Sequence, residues 1–168
     1  MIFTTKAEYG VRLMVELGRQ AKAGGGVATS LKVIAEAEAL PLAYLERIVA
    51  LLKKAGLVES TRGAHGGYRL SRGAEQITMD DVILALEGTV APMNCFIDDS
   101  EGPSRVLCSH EADSGRGCAT KLLWTRVQVG VSNTLAQTSL AELIEFQTRQ
   151  LPRAGERAAP DARTPAPA

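Results

Sequence analysis

A mostly α-helical chain carrying one small β-hairpin is the fold class this sequence predicts, and three observations lead there. Apolar residues recur at helical spacing in several stretches, and most of these open on a Ser or Thr suited to an N-cap. One stretch, residues 56–71, sets two short β-prone runs around a glycine-rich turn. Aromatics make up only 4% of the 168 residues, so Leu, Val, Ile and Ala have to fill the interior.

The first helix is expected to start at Thr5 as N-cap, with Glu8 three residues on as its capping-box partner. Tyr9, Val11, Leu13, Met14, Val15 and Leu17 then follow at helical spacing, and Gly24-Gly25-Gly26 ends the element. Ser30 caps a short second helix that turns Leu31, Ile34 and Ala35 inward. Pro41 opens a third helix running to Ala55, with Leu45, Ile48, Val49 and Leu52 inside and Gly56 as the natural stop. Its expected outer residues include Tyr44, Glu46, Arg47, Lys53 and Lys54. Two short helices about a tight turn, the second amphipathic, form a helix-turn-helix pattern. The hairpin follows directly: residues 56–61, the turn Arg62-Gly63-Ala64-His65-Gly66-Gly67, and Tyr68-Arg69-Leu70-Ser71. In that order it is the wing of a winged helix.

Thr78 and Asp81 cap a fourth helix that buries Val82, Ile83 and Leu86 and stops at Gly88. Beyond a polar segment, Leu122, Leu123, Val127, Val131 and Leu135 mark a long helix with more apolar surface than a small wing domain covers. Its own copy across a two-fold axis is the simplest cover, so a homodimer is expected. Ser139 and Glu142 cap a last short helix through Phe146, and from Pro152 the composition collapses to Ala, Pro and Arg. The expected organisation is a winged-helix DNA-binding domain at 1–90, a cysteine-bearing loop at 91–118, a dimerisation helix and short C-terminal helix at 119–150, and a disordered tail at 151–168.

The net charge is zero but unevenly spread: +5 over residues 1–72, −7 over 73–118 and +2 over 119–168. A basic nucleic-acid-binding half beside an acidic sensing half accounts for this, as does ordinary surface variation. No apolar run reaches the roughly 18 residues a membrane helix needs, and the N-terminus has no signal-peptide core, so a cytoplasmic protein is expected. No glycine-rich nucleotide loop, nucleophile elbow or acid–base pair is present, which argues against an enzyme.

Double-stranded DNA is the expected partner, as a palindromic operator for a dimer. Glu46 and Arg47 sit where side chains reach base edges, Arg through guanine acceptors and Glu through a cytosine amino group. Tyr44, Lys53, Lys54 and Ser60 are placed for phosphates, Arg62 at the wing tip for the minor groove, and His65 for a backbone or phosphate contact.

All three cysteines and one of the two histidines fall between residues 95 and 118, in a Gly-, Ser- and Asp-rich segment. Twelve residues separate Cys95 from Cys108 and nine separate Cys108 from Cys118, which is neither a zinc-finger spacing nor a Cys-x-x-Cys redox pair. Three thiolates on a loop suit an iron–sulfur cluster, though spacing alone leaves three unrelated thiols as open an alternative.

From Met1 to about Phe146 the chain resembles the Rrf2 family of winged-helix regulators, which includes IscR-like iron–sulfur and NsrR-like nitric-oxide sensors. The likeness rests on T-T-K-A-E-Y-G-V-R, L-P-L-A-Y-L-E-R-I-V-A-L-L-K-K-A-G-L-V, R-G-A-H-G-G-Y-R-L, the three cysteines and the Trp of C-A-T-K-L-L-W. The resemblance implies a homodimer with crossed long helices and a [2Fe-2S] or [4Fe-4S] cluster whose state sets DNA affinity. It implies Cys95, Cys108 and Cys118 as ligands, Glu46 and Arg47 as recognition-helix contacts, and Arg62 as the wing arginine.

Two departures stand out. The loop is about twice the family's usual length, and Lys121 occupies the position where some relatives place a ligating His. The resemblance makes Glu8, donated by the partner subunit, the candidate fourth ligand, with His110 a lesser one. A regulator switched directly by thiol oxidation, or by another metal without a cluster, is the alternative.

Overall fold

The computed structural model describes residues 3–24, 26–63, 66–90 and 119–149. In chain order the elements are α1 (Thr5–Ala23), α2 (Leu31–Glu38), α3 (Leu42–Lys54), β1 (Val58–Thr61), β2 (Gly67–Leu70), a 3-10 turn (Ala74–Gln76), α4 (Met79–Glu87), α5 (Ala119–Gln137) and α6 (Leu140–Thr148). The three cysteines, His65, His110 and the tail expected from 151 onward lie outside the described residues.

Where a helix start is written in local chemistry, it forms as expected. The Ser30 hydroxyl accepts from the Val33 amide at 3.3 Å, and complete capping boxes join Thr78 to Asp81 and Ser139 to Glu142. Two starts differ. The N-cap of α1 is Thr4, whose hydroxyl accepts from the Lys6 amide, so Glu8 is not a capping-box partner. The same hydroxyl donates to the Glu87 carboxylate at the end of α4, a contact 83 residues away that favours Thr4 over Thr5. Pro41 is the N-cap of α3 rather than its first residue, since its ψ of 120° is extended.

β1 and β2 pair antiparallel, Val58 opposite Leu70 and Thr61 opposite Gly67. An unforeseen third segment joins them: Thr29 exchanges two backbone hydrogen bonds with Tyr68, at 2.9 and 2.8 Å. Gly67 permits this, because a Cβ there would lie 2.4 Å from the Thr29 carbonyl oxygen. The wing is thereby fastened to the link between α1 and α2.

The core gathers α1, α2, α3, α4 and α6. Leu13, Met14, Ile34, Leu45, Ile48, Leu52, Ile77, Val82, Leu140 and Ile144 are fully buried, each contributing about 2 kcal/mol by removal from water. Ile144 of α6 lies against Gly18 of α1, and the Leu140 amide donates to the Ile77 carbonyl at 2.8 Å. Glu16 is the one buried acidic side chain among the described residues, accepting from Arg19 at 2.8 Å and Gln20 at 2.7 Å. A smaller cluster of Ala7, Ile83 and Val90 receives Val131 and Leu135 of α5. Further toward its N-terminus α5 is uncovered: Leu122 and Leu123 are 60% and 56% exposed. Among the described residues no helix is long and apolar enough to cross a membrane.

Candidate nucleic-acid interface and sensing segment

The helix-turn-helix is built on an irregular turn. Ala39 follows α2 in the left-handed region at φ 52°, and its amide donates to the carbonyls of Ala35 and Glu36. Leu40 turns inward beneath it, donating to the Ala35 carbonyl at 2.9 Å. α3 then buries Leu45, Ile48, Val49 and Leu52, so its opposite side faces solvent with Ala43, Glu46, Arg47, Ala50 and Lys54.

The structure places the expected DNA contacts unequally. Glu46 and Arg47 are adjacent and exposed at the middle of α3, at the reach of a helix laid in a major groove. Lys53 and Lys54 stand in its last turn, where the helix dipole favours cations. The Lys53 ammonium donates to the Ser60 hydroxyl at 2.6 Å, which brings these two residues together and ties α3 to β1. Arg62 is exposed where β1 runs into the wing turn. Arg69, by contrast, is engaged with Glu59 across the hairpin at 2.9 Å. Tyr44, expected on the outer side, is half-buried: it packs on the core and meets the Tyr9 ring edge-on at 5.7 Å.

A model of the Rrf2 family, described as iron-dependent transcriptional regulator, matches residues 3–146. The chain belongs to the Rrf2 family. Among its relatives is the transcriptional regulator CymR of Bacillus subtilis, 37% identical over 146 residues that span 87% of this chain and 91% of CymR. IscR of Cereibacter sphaeroides is 33% identical over 152 residues, 90% of this chain and 92% of the relative. Among solved structures, B. subtilis CymR superposes with a TM-score of 0.68 at 36% identity, covering 87% of this chain and 98% of that one. T. potens IscR gives 0.66 at 33% identity, covering 88% of each. As an Rrf2 protein, the chain is a winged-helix, DNA-binding transcriptional regulator and not an enzyme.

In this Rrf2 protein, residues 91–118 are framed by two described anchors. Val90, the last described residue before them, is 5% exposed and packs on Ala7 of α1. Ala119 after them begins α5. Glu8, next to Ala7, is exposed and has no side-chain hydrogen bond or ion pair among the described residues. One turn further along α1, Arg12 is engaged with Glu38 at 2.9 Å.

Sequence reasoning missed that ion pair, the Thr29–Tyr68 bridge, the Thr4–Glu87 contact and the Glu16 cluster. Only the last left a local signal, a carboxylate on an apolar helix side with Arg and Gln three and four residues on.

Proposed function

We propose that this Rrf2 protein is a cytoplasmic homodimer whose affinity for a palindromic operator is set by an iron–sulfur cluster on Cys95, Cys108 and Cys118. The observation that carries the reading is the position of all three thiols. In sequence they lie between Val90, which packs with Ala7 of the first helix, and α5, whose Leu122 and Leu123 are exposed.

The donor set fits such a group. Thiolates are the usual ligands of iron–sulfur clusters. The Glu8 carboxylate is exposed and unengaged by described residues, so it is available as the fourth ligand from either subunit, with His110 the lesser candidate. A carboxylate binds iron more weakly and exchangeably than a thiolate, so that corner is where ligand loss starts. When bound, the group supplies a centre that reacts with oxygen or nitric oxide and responds to iron or cluster supply. The chain does the rest: the cysteines tether residues 91–118, Val90 and Ala7 fix one end to α1, and α5 carries the other end into the dimer. Tethering shifts the population of dimers whose two recognition helices match the operator spacing. On the DNA, Glu46 and Arg47 read base edges. Lys53, Lys54, Ser60, Tyr44 and His65 serve the backbone, and Arg62 enters the minor groove.

The test is anaerobic purification with a visible spectrum, joined to operator binding at fixed salt before and after nitric oxide or air. Single Cys→Ser variants that keep the spectrum unchanged count against the ligand set. A second reading, direct thiol oxidation or another metal without a cluster, is favoured by the likeness to B. subtilis CymR, described as the global cysteine regulator of that organism. It predicts a colourless protein whose DNA affinity still responds to oxidants.

A further inference from the structure

Among the described residues α5 packs on the core through Val131 and Leu135, in its last two turns, which lie against the cluster of Ala7, Ile83 and Val90. Directly beyond them the chain is fastened a second time. The Met79 amide donates to the Thr138 carbonyl at 2.9 Å, and the Leu140 amide donates to the Ile77 carbonyl at 2.8 Å. Thr78 and Ser139 therefore face each other as one antiparallel bridge. Both are extended, at ψ 159° and 155°, and each is the N-cap of a helix with a complete capping box. The start of α4 and the start of α6 are thus clasped together, each held in the bridging geometry by its own cap.

The clasp is braced from the wing side. The Asp81 carboxylate accepts from the Thr78 amide at 3.1 Å and from the Arg72 guanidinium at 3.0 Å, while Arg72 Nε donates to the Gln76 carbonyl at 3.0 Å. Arg72 stands two residues after β2. From the clasp, α4 runs on to the helices that carry the DNA contacts: its Leu86 meets Gly10 of α1 beside Ile48 of α3.

We propose that this clasp determines the half-site spacing of the operator, with Thr78 and Ser139 as its positioning residues and Arg72 as their brace. The statement rests on the reading of the protein as a homodimer on a palindromic site. A helix of 19 residues is about 28 Å long, so a tilt of about 10° at the clasp moves the far end of α5 by about 5 Å. One base pair moves two half-sites apart by about 3.4 Å and turns them by about 35°. A joint that yields by about 10° therefore tolerates a spacer one base pair wrong, and a stiff joint does not.

The experiment uses the full chain at one salt concentration. A half-site selected from a random library is built into palindromes whose spacer is optimal, one base pair shorter or one longer, and into a single half-site duplex. Sedimentation velocity gives the oligomeric state, and thermal melting checks each variant. Wild type is expected to lose about tenfold in affinity when the spacer changes by one base pair. In Thr78→Ala and Ser139→Ala, which remove the capping hydroxyls, that penalty is expected to fall to about threefold or less, with half-site affinity within about twofold of wild type. Thr78→Ser and Ser139→Thr keep a capping hydroxyl and should keep the tenfold penalty. The ratio between spacers is read within each variant, so a smaller folded fraction lowers every duplex alike and leaves it unchanged. A tenfold penalty retained in both alanine variants overturns the proposal, as does a loss of the penalty in the variants that keep the hydroxyl. If the alanine variants do not melt cooperatively, Arg72→Gln decides by the same ratio, since that side chain is 35% exposed and its loss removes the brace alone. A wild type that is monomeric, or indifferent to the spacer, refutes the dimer reading and the proposal with it. A dimer whose sharp optimum survives in the alanine variants refutes the proposal alone.

Discussion

Gly18 and Ile144 offer a sharp test of how the C-terminal helix is docked. A methyl group added at Gly18 would stand 2.2 Å from Ile144 Cδ1, 3.2 Å from its Cγ1 and 3.7 Å from Leu70 Cδ1. Alanine improves helix propensity in α1 by about 1 kcal/mol, but overpacking a filled core costs about 1–3 kcal/mol. Gly18→Ala alone is therefore expected to destabilise by about 1 kcal/mol. Ile144→Val removes Cδ1, the atom that clashes, and costs about 1 kcal/mol as an ordinary core truncation. In the double variant the alanine methyl enters the space Cδ1 has left, and the propensity gain is retained. Its stability should return to within about 0.5 kcal/mol of wild type, a coupling of about 2 kcal/mol between the two sites. Urea unfolding by far-UV circular dichroism, at one fixed protein concentration, measures all four corners of the cycle. Additive effects would refute the placement of α6 on α1.

Three further outcomes follow from other parts of the molecule. Ala39→Gly relieves a left-handed alanine and should raise stability by about 0.5–1 kcal/mol in the same urea assay. Lys54→Ala removes an exposed cation from the last turn of α3, so the slope of log affinity against log salt should fall by about 1 per subunit with little change in sequence preference. Leu123→Glu combined with Val127→Glu places charges on the uncovered side of α5. Sedimentation velocity should then show monomer, with a secondary-structure content like that of wild type.

Much of this fold is legible from local pattern, for identifiable reasons. Ser30, Thr78 and Ser139 cap with their own side chains onto amides three residues on, so position alone reveals them. Leu45, Ile48, Val49 and Leu52 share one side of α3 whatever packs against it. The surplus of α5 was legible as well: Leu122 and Leu123 stay largely exposed among the described residues. What local pattern missed depends on contacts distant in sequence. Thr4 outcompetes Thr5 as N-cap because Glu87 receives its hydroxyl, and Thr29 becomes strand-like only because Tyr68 arrives beside it. Tyr44 looked like a surface residue until Tyr9 claimed its ring. For the candidate site, the outward position of Glu46 and Arg47 followed from helical periodicity. The Arg12 grip on Glu38 joins residues 26 apart and has no local signature.

The most direct test of the account is the visible spectrum of anaerobically purified protein, followed together with operator affinity as nitric oxide or air is admitted. The account predicts iron–sulfur absorption that bleaches in step with a change in affinity, and loss of both the colour and the response in Cys95→Ser, Cys108→Ser and Cys118→Ser. A colourless protein that binds its operator equally under every condition would contradict it.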